Sequence, residues 1–171
     1  MKLLVAKTEH MADILSIIED GRQTLRELGI AQWQQKYPSI VDIEVDIQAG
    51  NSYLLLHNEQ IIGTVALLTT EEIAYKDIHG GQWHATLPYL TIHRLAIAKH
   101  ALGNGIGTVF LKKIEEMAQQ KGRTYIRLDT HKKNERMKYI VEKNGYQFAG
   151  KVSYGNDFSC CAYDKLLGDS L

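Results

Sequence analysis

The stretch Leu90–Thr108, LTIHRLAIAKHALGNGIGT, runs from an apolar segment through three alternate glycines into an amphipathic one. Tyr89–Ile97 has the composition of a strand. Gly103, Gly105 and Gly107 lack a Cβ, so the backbone there can turn sharply and close its N–H groups around an anion. Thr108–Gln120 carries Val109, Phe110, Ile114 and Met117 at helical spacing, and a helix there adds unbonded N–H groups and the positive end of its dipole. Strand, glycine turn and helix N-terminus together predict a pyrophosphate cradle. Two common nucleotide motifs do not fit it. Gly107-Thr108 lacks the lysine of a P-loop, and the spacing G-x-G-x-G is not the G-x-G-x-x-G of a dinucleotide fold.

On either side of this stretch the chain alternates short elements. Leu3–Ala6 reads as a first strand, with Thr8 as N-cap of a helix bearing Met11, Ile14, Leu15, Ile17 and Ile18. Gly21 and Gly29 punctuate, and Pro38 precedes a second helix at about Ile40–Ala49. Ser52–His57 and Ile61–Leu68 read as a hairpin turning at Asn58–Gln60. Thr70–Leu87 reads as a flap or a hairpin extension. Downstream lie a strand at Thr124–Thr130, a helix at Asn134–Asn144 closed by Gly145, and strands at Tyr146–Val152 and Phe158–Leu167. The order is strand, two helices, three strands, helix, strand, helix, two strands. It predicts an α/β protein of the α+β type, with a mixed, mostly antiparallel sheet of six to seven strands. Helices are expected on both faces, with a central β-α-β crossover.

At 171 residues the chain is expected to form a single domain, residues 1–171. Its 20 basic and 20 acidic residues cancel, which argues against bulk nucleic acid or an anionic membrane as partner. The two cysteines, Cys160 and Cys161, are adjacent; they fit neither a disulfide framework nor metal-ligand spacing, and a reducing cytoplasmic setting is expected. No signal-peptide pattern and no apolar run of spanning length is present.

With these elements in order, two blocks, LAIAKHALGNGIGT at Leu95–Thr108 and NERMKYIVEKNGYQFAG at Asn134–Gly150, resemble the GNAT superfamily of acetyl-CoA-dependent N-acetyltransferases. The first is similar to the family's acyl-CoA pyrophosphate loop, Q/R-x-x-G-x-G/A, which maps onto Leu102, Gly103, Asn104, Gly105, Ile106 and Gly107, with Thr108 following. The second is similar to the family's N-x-x-(small)…Y-E-K-x-G-F helix and strand. The resemblance covers nearly the whole chain. It implies acetyl transfer from acetyl-CoA to a primary amine of a small molecule or peptide, without a metal. Transfer of a longer acyl group and a non-catalytic acyl-CoA-binding module are the alternatives. Leu102 departs from the family's Gln/Arg, a change tolerable in a cradle built from backbone. Val141 stands where the family has the tyrosine that protonates the departing thiolate. Another group, water or the amine's own proton must then serve, which thiol acidity near neutral pH permits.

The resemblance assigns the pantetheine arm to the backbone of Leu95, Ala96 and Ile97, which can bind it as an added strand would, and to Asn134, which also suits a helix N-cap. An ammonium acceptor must lose a proton before it attacks, and an imidazole titrates nearest neutral pH of all side chains. His93 is the first candidate base; its position resembles that of a histidine used by arylalkylamine acetyltransferases, and strand alternation puts it on one face with Thr91 and Leu95. Asp129 and His131, at the end of the next strand, are second candidates, with Asp129 alternatively pairing with Arg94. Trp33 and Tyr37, one helical turn apart, and Trp83 and Tyr89 are candidates to line the acceptor pocket, where aromatic walls favour flat or cationic groups. The chain is expected as a monomer or homodimer. The apolar alternation of FSCCAYDKL suits either pairing across a dimer or an internal hairpin.

Overall fold

A computed structural model describes residues 1–155 and 159–168. Its elements are strand β1 (Lys2–Val5), helices α1 (Met11–Glu27) and α2 (Ile40–Gln48), strands β2 (Ser52–His57), β3 (Gln60–Leu68) and β4 (Leu90–Ile97), helix α3 (Ile106–Gln120), strand β5 (Tyr125–His131), helix α4 (Glu135–Lys143), and strands β6 (Gln147–Ser153) and β7 (Ser159–Leu166). This is the order expected from the sequence. The seven strands follow β1-β2-β3-β4-β5-β7-β6. β4 and β5 are parallel and joined through α3, whereas β1–β2, β2–β3, β5–β7 and β6–β7 are antiparallel. The fold class is therefore α/β with a mixed, mostly antiparallel sheet and a β-α-β crossover. The chain forms two compact units, Met1–Leu67 with His93–Lys113, and Leu68–Ile92 with the chain from Ile114 onward, so the boundary cuts β4 between Ile92 and His93.

In the first unit β2 and β3 close through Asn58 and Glu59, both at positive φ (47° and 63°), the two-residue turn whose twist suits antiparallel strands. Ile14, Ile17 and Ile18 of α1 and Ile43 of α2 pack with Leu54, Leu56 and Ala96 in one core. Leu55 and Gly63 are paired across β2 and β3. A Cβ on Gly63 would stand 2.8 Å from Phe110 of α3 and 3.3 Å from the Leu55 side chain. Neighbouring residues of a strand point to opposite faces, so α1 and α2 cover the Leu54 face of this unit and α3 the Leu55 face.

Three local expectations fail here for identifiable reasons. Gly21 does not interrupt α1; a Cβ there would lie 2.9 Å from Cζ3 of Trp33, so the glycine makes room for an indole against the helix. Thr8 is not a helix N-cap but opens a short 3-10 turn, Thr8–His10, and α1 starts at Met11. Helix α3 begins two residues earlier than its periodicity suggests, because Gly105 O already accepts from Val109 N–H at 3.1 Å. Helix α2, by contrast, starts as its sequence suggests. Ser39 Oγ accepts from Asp42 N–H (3.2 Å) and the Asp42 carboxylate from Ser39 N–H (2.6 Å), a reciprocal capping box.

In the second unit β7 pairs with β5 on one side and β6 on the other, so the apolar alternation of β7 is used within the chain. Phe158, expected to open that strand, lies outside the described residues. Cys160 and Ala162 on one face of β7 pack with Tyr75 and Val152, and with the half-buried Trp83 and Tyr89. Tyr163, one residue on from Ala162, donates to Glu142 of α4 at 2.9 Å. The segment between β3 and β4 is neither a hairpin nor an extension of one. It holds a 3-10 turn at Ile73–Lys76 and a single bridge in which His79 and Lys151 exchange N–H···O bonds of 2.8 Å.

Gly81 belongs to this bridge region, and a Cβ there would meet Ala149 O at 2.2 Å and Gly150 Cα at 3.2 Å. Backbone cannot yield as a flexible side chain would. Gly81→Ala is expected to cost about 1–3 kcal/mol, the range for overpacking, and to lower Tm by roughly 2–4 °C for each kcal/mol. Thermal unfolding of the variant beside wild type checks it, and an unchanged Tm would contradict the close approach.

Candidate functional site

In the glycine turn, Gly103, Asn104 and Gly105 are consecutive residues at positive φ (97°, 48° and 74°). Asparagine is among the few residues besides glycine that adopt this conformation readily. A Cβ added to Gly103 or Gly105 would meet nothing within 4 Å. The glycines are therefore set by backbone conformation and not by packing, and the space beside them is open. Ile106 N–H is bonded to Gly103 O at 3.1 Å, and the first i→i−4 bond is that of Val109. Gly107 N–H thus belongs to the first helical turn, where no intrahelical carbonyl is in reach. A curved backbone running into a helix N-terminus is the donor set that a pyrophosphate requires. Leu102 sits at its head with its side chain half-buried.

The strand leading there is broken. β4 pairs with β5 over Leu90–Ile92 against Ile126–Leu128, and two residues further on Arg94 has φ 52°. For a residue with a Cβ this left-handed conformation costs about 1–2 kcal/mol. Arg94 is held there by a fork: Nε and Nη2 donate to the two carboxylate oxygens of Asp46, each at 2.7 Å, and Nη1 donates to Tyr37 Oη at 2.6 Å. Asp46 is only 5% exposed. The sequence expectation that Asp129 pairs with Arg94 is thus overturned, because α2 presents a carboxylate on its buried side. The signal lay in IVDIEVDIQ, where Asp46 follows the buried Ile43 by three residues and so falls on the apolar stripe.

His93, Leu95 and Ile97 are half-buried, and Ala96 between them joins the core of α1 and α2. Trp33 and Tyr37 lie in an irregular loop, not one helical turn apart on a helix; Trp33 and Lys36 have φ of 66° and 62°. The Trp33 ring lies against Gly21 and packs on the core cluster that includes Ala96, and its carbonyl accepts from Arg22 Nε at 2.9 Å. Tyr37 remains exposed, and burial of its hydroxyl end raises the phenol above its ordinary pKa, so it stays protonated.

The second unit gathers its own polar groups. Asp129 Oδ2 accepts from Tyr75 Oη at 2.8 Å and Tyr154 Oη at 2.6 Å. Burial first, and the Asp129 charge next, push both phenols and the Cys160 thiol up. All three stay protonated, and the two phenols occupy the carboxylate. His131 is buried, and its Nδ1 accepts from Lys133 N–H at 3.2 Å. Asn134 caps α4, its Oδ1 accepting from Met137 N–H at 3.2 Å. Val141 is fully buried, so that position offers no proton donor.

Trp83 and Tyr89 are brought together, but around a cation: the Arg127 guanidinium lies 4.2 Å from each ring centroid. Beside them His84 Nδ1 is 2.7 Å from Asp164 Oδ1, and Tyr125 Oη donates to Oδ2 of the same buried carboxylate. Tyr75, Tyr154, Arg127 and Asp164 were not singled out from the sequence. For Asp164 the signal was present, since it continues the buried positions Cys160 and Ala162 along β7.

The model of the acetyltransferase (GNAT) family matches residues 18–146, and the chain belongs to that family. It is 32% identical to a GNAT-family acetyltransferase from Streptococcus agalactiae 2603, with TM-score 0.90 over 98% of this chain and 96% of that one. Among curated proteins it is 27% identical over 149 residues to YesJ, an uncharacterized N-acetyltransferase of Bacillus subtilis (strain 168), covering 86% of this chain and 82% of the relative. At 18% identity it shares the fold of the PaiA N-acetyltransferase of Thermoplasma acidophilum, solved in complex with coenzyme A, with TM-score 0.67 over 96% and 98% of the two chains. The protein is an acyltransferase of this fold. Among the described residues no helix is long and apolar enough to cross a membrane.

Burial, followed by the charges of Lys132 and Lys133, holds the His131 imidazole below its ordinary pKa of 6.5. The unfolded chain therefore takes up this proton before the folded one does. Its contribution to stability is full above pH 6.5 and is lost as pH falls through the folded value. Urea unfolding at pH 7.5 and about 5.5 is expected to show a smaller loss for His131→Gln than for wild type; equal losses would remove His131 from the acid sensitivity.

Proposed function

We propose that the chain, acting as a single domain in the cytoplasm, transfers an acetyl group from acetyl-CoA to a primary amine of a small molecule or peptide. The observation that carries this reading is the run of three positive-φ residues, Gly103–Gly105, that opens α3 directly after β4. Backbone N–H groups of the turn, those of Gly103–Gly105 and Gly107, bind the pyrophosphate, and the side chain of Leu102 takes no part. Beyond Ile92 the ladder with β5 stops, and the backbone of Leu95–Ile97 takes the pantetheine arm as a strand would take a neighbour. A backbone N–H of this stretch polarises the thioester carbonyl and stabilises the oxyanion that forms on attack. Asn134 spends its side-chain oxygen on capping α4, which leaves the amide NH2 as its group for the arm.

His93 takes the proton from the attacking amine, directly or through water. Asp129 is a poorer base, because its Oδ2 already accepts from two phenols. His131 is poorer too, since Nδ1, its accepting nitrogen, is spent on Lys133 N–H. With Val141 buried, the departing thiolate takes its proton from water or from the amine, a step that thiol acidity near neutral pH makes feasible. We assign acceptor contact to the exposed ring of Tyr37. Trp33, Trp83 and Tyr89 are engaged elsewhere, the first against Gly21 and the other two on Arg127.

Release of CoA thiol from acetyl-CoA over a panel of primary amines tests the reading. Wild type is expected to turn over, and His93→Ala to lose roughly 10²–10⁴ in kcat/KM with CoA affinity unchanged. Gly105→Asp, which puts strain and negative charge into the cradle, is expected to weaken CoA binding by at least about tenfold, or ~1.4 kcal/mol, measured by calorimetry. Acyl transfer by a Gly105→Asp variant with full CoA affinity would place the pyrophosphate elsewhere.

A further inference from the structure

We propose that Arg94 is the positioning residue of this site, a single guanidinium that fixes both the strand segment holding the thioester and the loop that meets the acceptor. The proposal rests on the acetyl-transfer reading for what the two segments do, and on geometry alone for their being tied together. Arg94 stands between His93 and Leu95, the assigned base and the start of the assigned pantetheine stretch. Its φ of 52° turns the chain between them, so the conformation of this one residue sets the angle between the imidazole and the backbone that follows. A strand does not keep such a residue unless its surroundings hold it.

The surroundings are specific. Two parallel bonds of 2.7 Å run to Asp46 on α2, and a third of 2.6 Å runs from Nη1 to Tyr37 Oη. A planar guanidinium presents five N–H donors at fixed angles, and can satisfy a carboxylate side-on while donating to a second acceptor; an ammonium cannot hold both in one plane. Tyr37 belongs to the loop between α1 and α2, whose backbone turns through positive φ at Trp33 and Lys36. That loop has a second fastening, independent of Arg94: Arg22 donates from Nε to Trp33 O at 2.9 Å and from Nη2 to Pro38 O at 2.7 Å. The Tyr37 bond is therefore not needed to keep the loop folded. Its effect is to set the Tyr37 ring relative to β4. Occupation of the acceptor site at Tyr37 and the alignment of His93 with Leu95 are coupled through the same side chain.

Two variants separate the two bonds. Arg94→Lys keeps the charge and one bond to Asp46 but loses the fork. It is expected to lower kcat by roughly tenfold to a hundredfold, the cost of a small misplacement of reacting groups, while CoA affinity, which rests mainly on the glycine turn and only in part on Leu95–Ile97, stays within about threefold. Tyr37→Phe cuts only the loop's bond; it is expected to raise KM for the amine and to lower kcat by less than Arg94→Lys does. Backbone hydrogen exchange, read with no substrate present, is expected to rise in Arg94→Lys over residues 30–39 and 90–97 together, and in Tyr37→Phe over 30–39 alone. Wild-type kcat in Arg94→Lys, or loss of kcat and CoA affinity together as general loosening would give, overturns the proposal. So does exchange that leaves either segment unaffected in Arg94→Lys. If wild type turns over no amine, the acetyl-transfer reading fails by itself, and the exchange pattern still decides whether Arg94 ties the two segments.

Discussion

The left-handed turn at Arg94 is the constraint on which the first unit's site depends. β4 must be a regular strand where Leu90–Ile92 pair with β5 and must then change direction. The chain makes that change at an arginine, not a glycine, so an unfavourable backbone conformation is tied to a side chain that can be held. The Asp46 fork and the Tyr37 hydroxyl hold it. A buried ion pair is weak evidence of net stabilisation, since desolvation opposes the Coulombic attraction; losing one partner alone costs about 3–5 kcal/mol because the other charge is left stranded. What such a pair contributes here is direction. It fixes one backbone conformation at the junction between the imidazole and the stretch assigned to the thioester arm.

The two polar groupings of the second unit follow a related rule. Asp129 and Asp164 each lie under the segment between β3 and β4, and each is met by two side chains: Tyr75 and Tyr154 for the first, His84 and Tyr125 for the second. Buried carboxylates are tolerated when their lone pairs are satisfied. A segment with almost no regular secondary structure is thereby fastened to the sheet by side chains instead of a ladder. Arg127 between Trp83 and Tyr89 serves the same end, its charge facing aromatic rings and its Nη2 donating to Ala85 O at 3.1 Å. Rings expected to line an acceptor pocket are in good part structural for this reason.

The glycine turn works differently again. The role proposed for it rests on backbone N–H groups, which any sequence able to adopt three successive positive φ values would supply. That explains why Leu102 can replace the polar residue of the family pattern. It also explains why the cradle was the most legible part of the molecule, since glycine spacing records backbone conformation directly.

By itself the sequence determined the order of the elements, the α/β class, the crossover through α3 and the position of the cradle. Each depends on local periodicity or on a residue's own backbone freedom. It located helix α2 to within a residue from the loop that Pro38 marks, and the structure adds the Ser39–Asp42 capping box that holds this start. It misplaced what depends on contacts between distant residues. Gly21 reads as a helix breaker until the Trp33 ring is seen beside it. Arg94 was offered to Asp129 as an alternative to that residue's role as a base, because nothing local says which of two carboxylates, one of them on a helix 48 residues earlier, will reach the guanidinium. The segment before β4, read as a flap or a hairpin extension, was misread, since its fastenings are single side chains meeting β5 and β7 and one backbone bridge to β6. Tertiary structure alone decided which polar groups are already committed to one another and which remain for chemistry. That assignment is a matter of pairing across the fold, and pairing leaves no periodic trace in the chain.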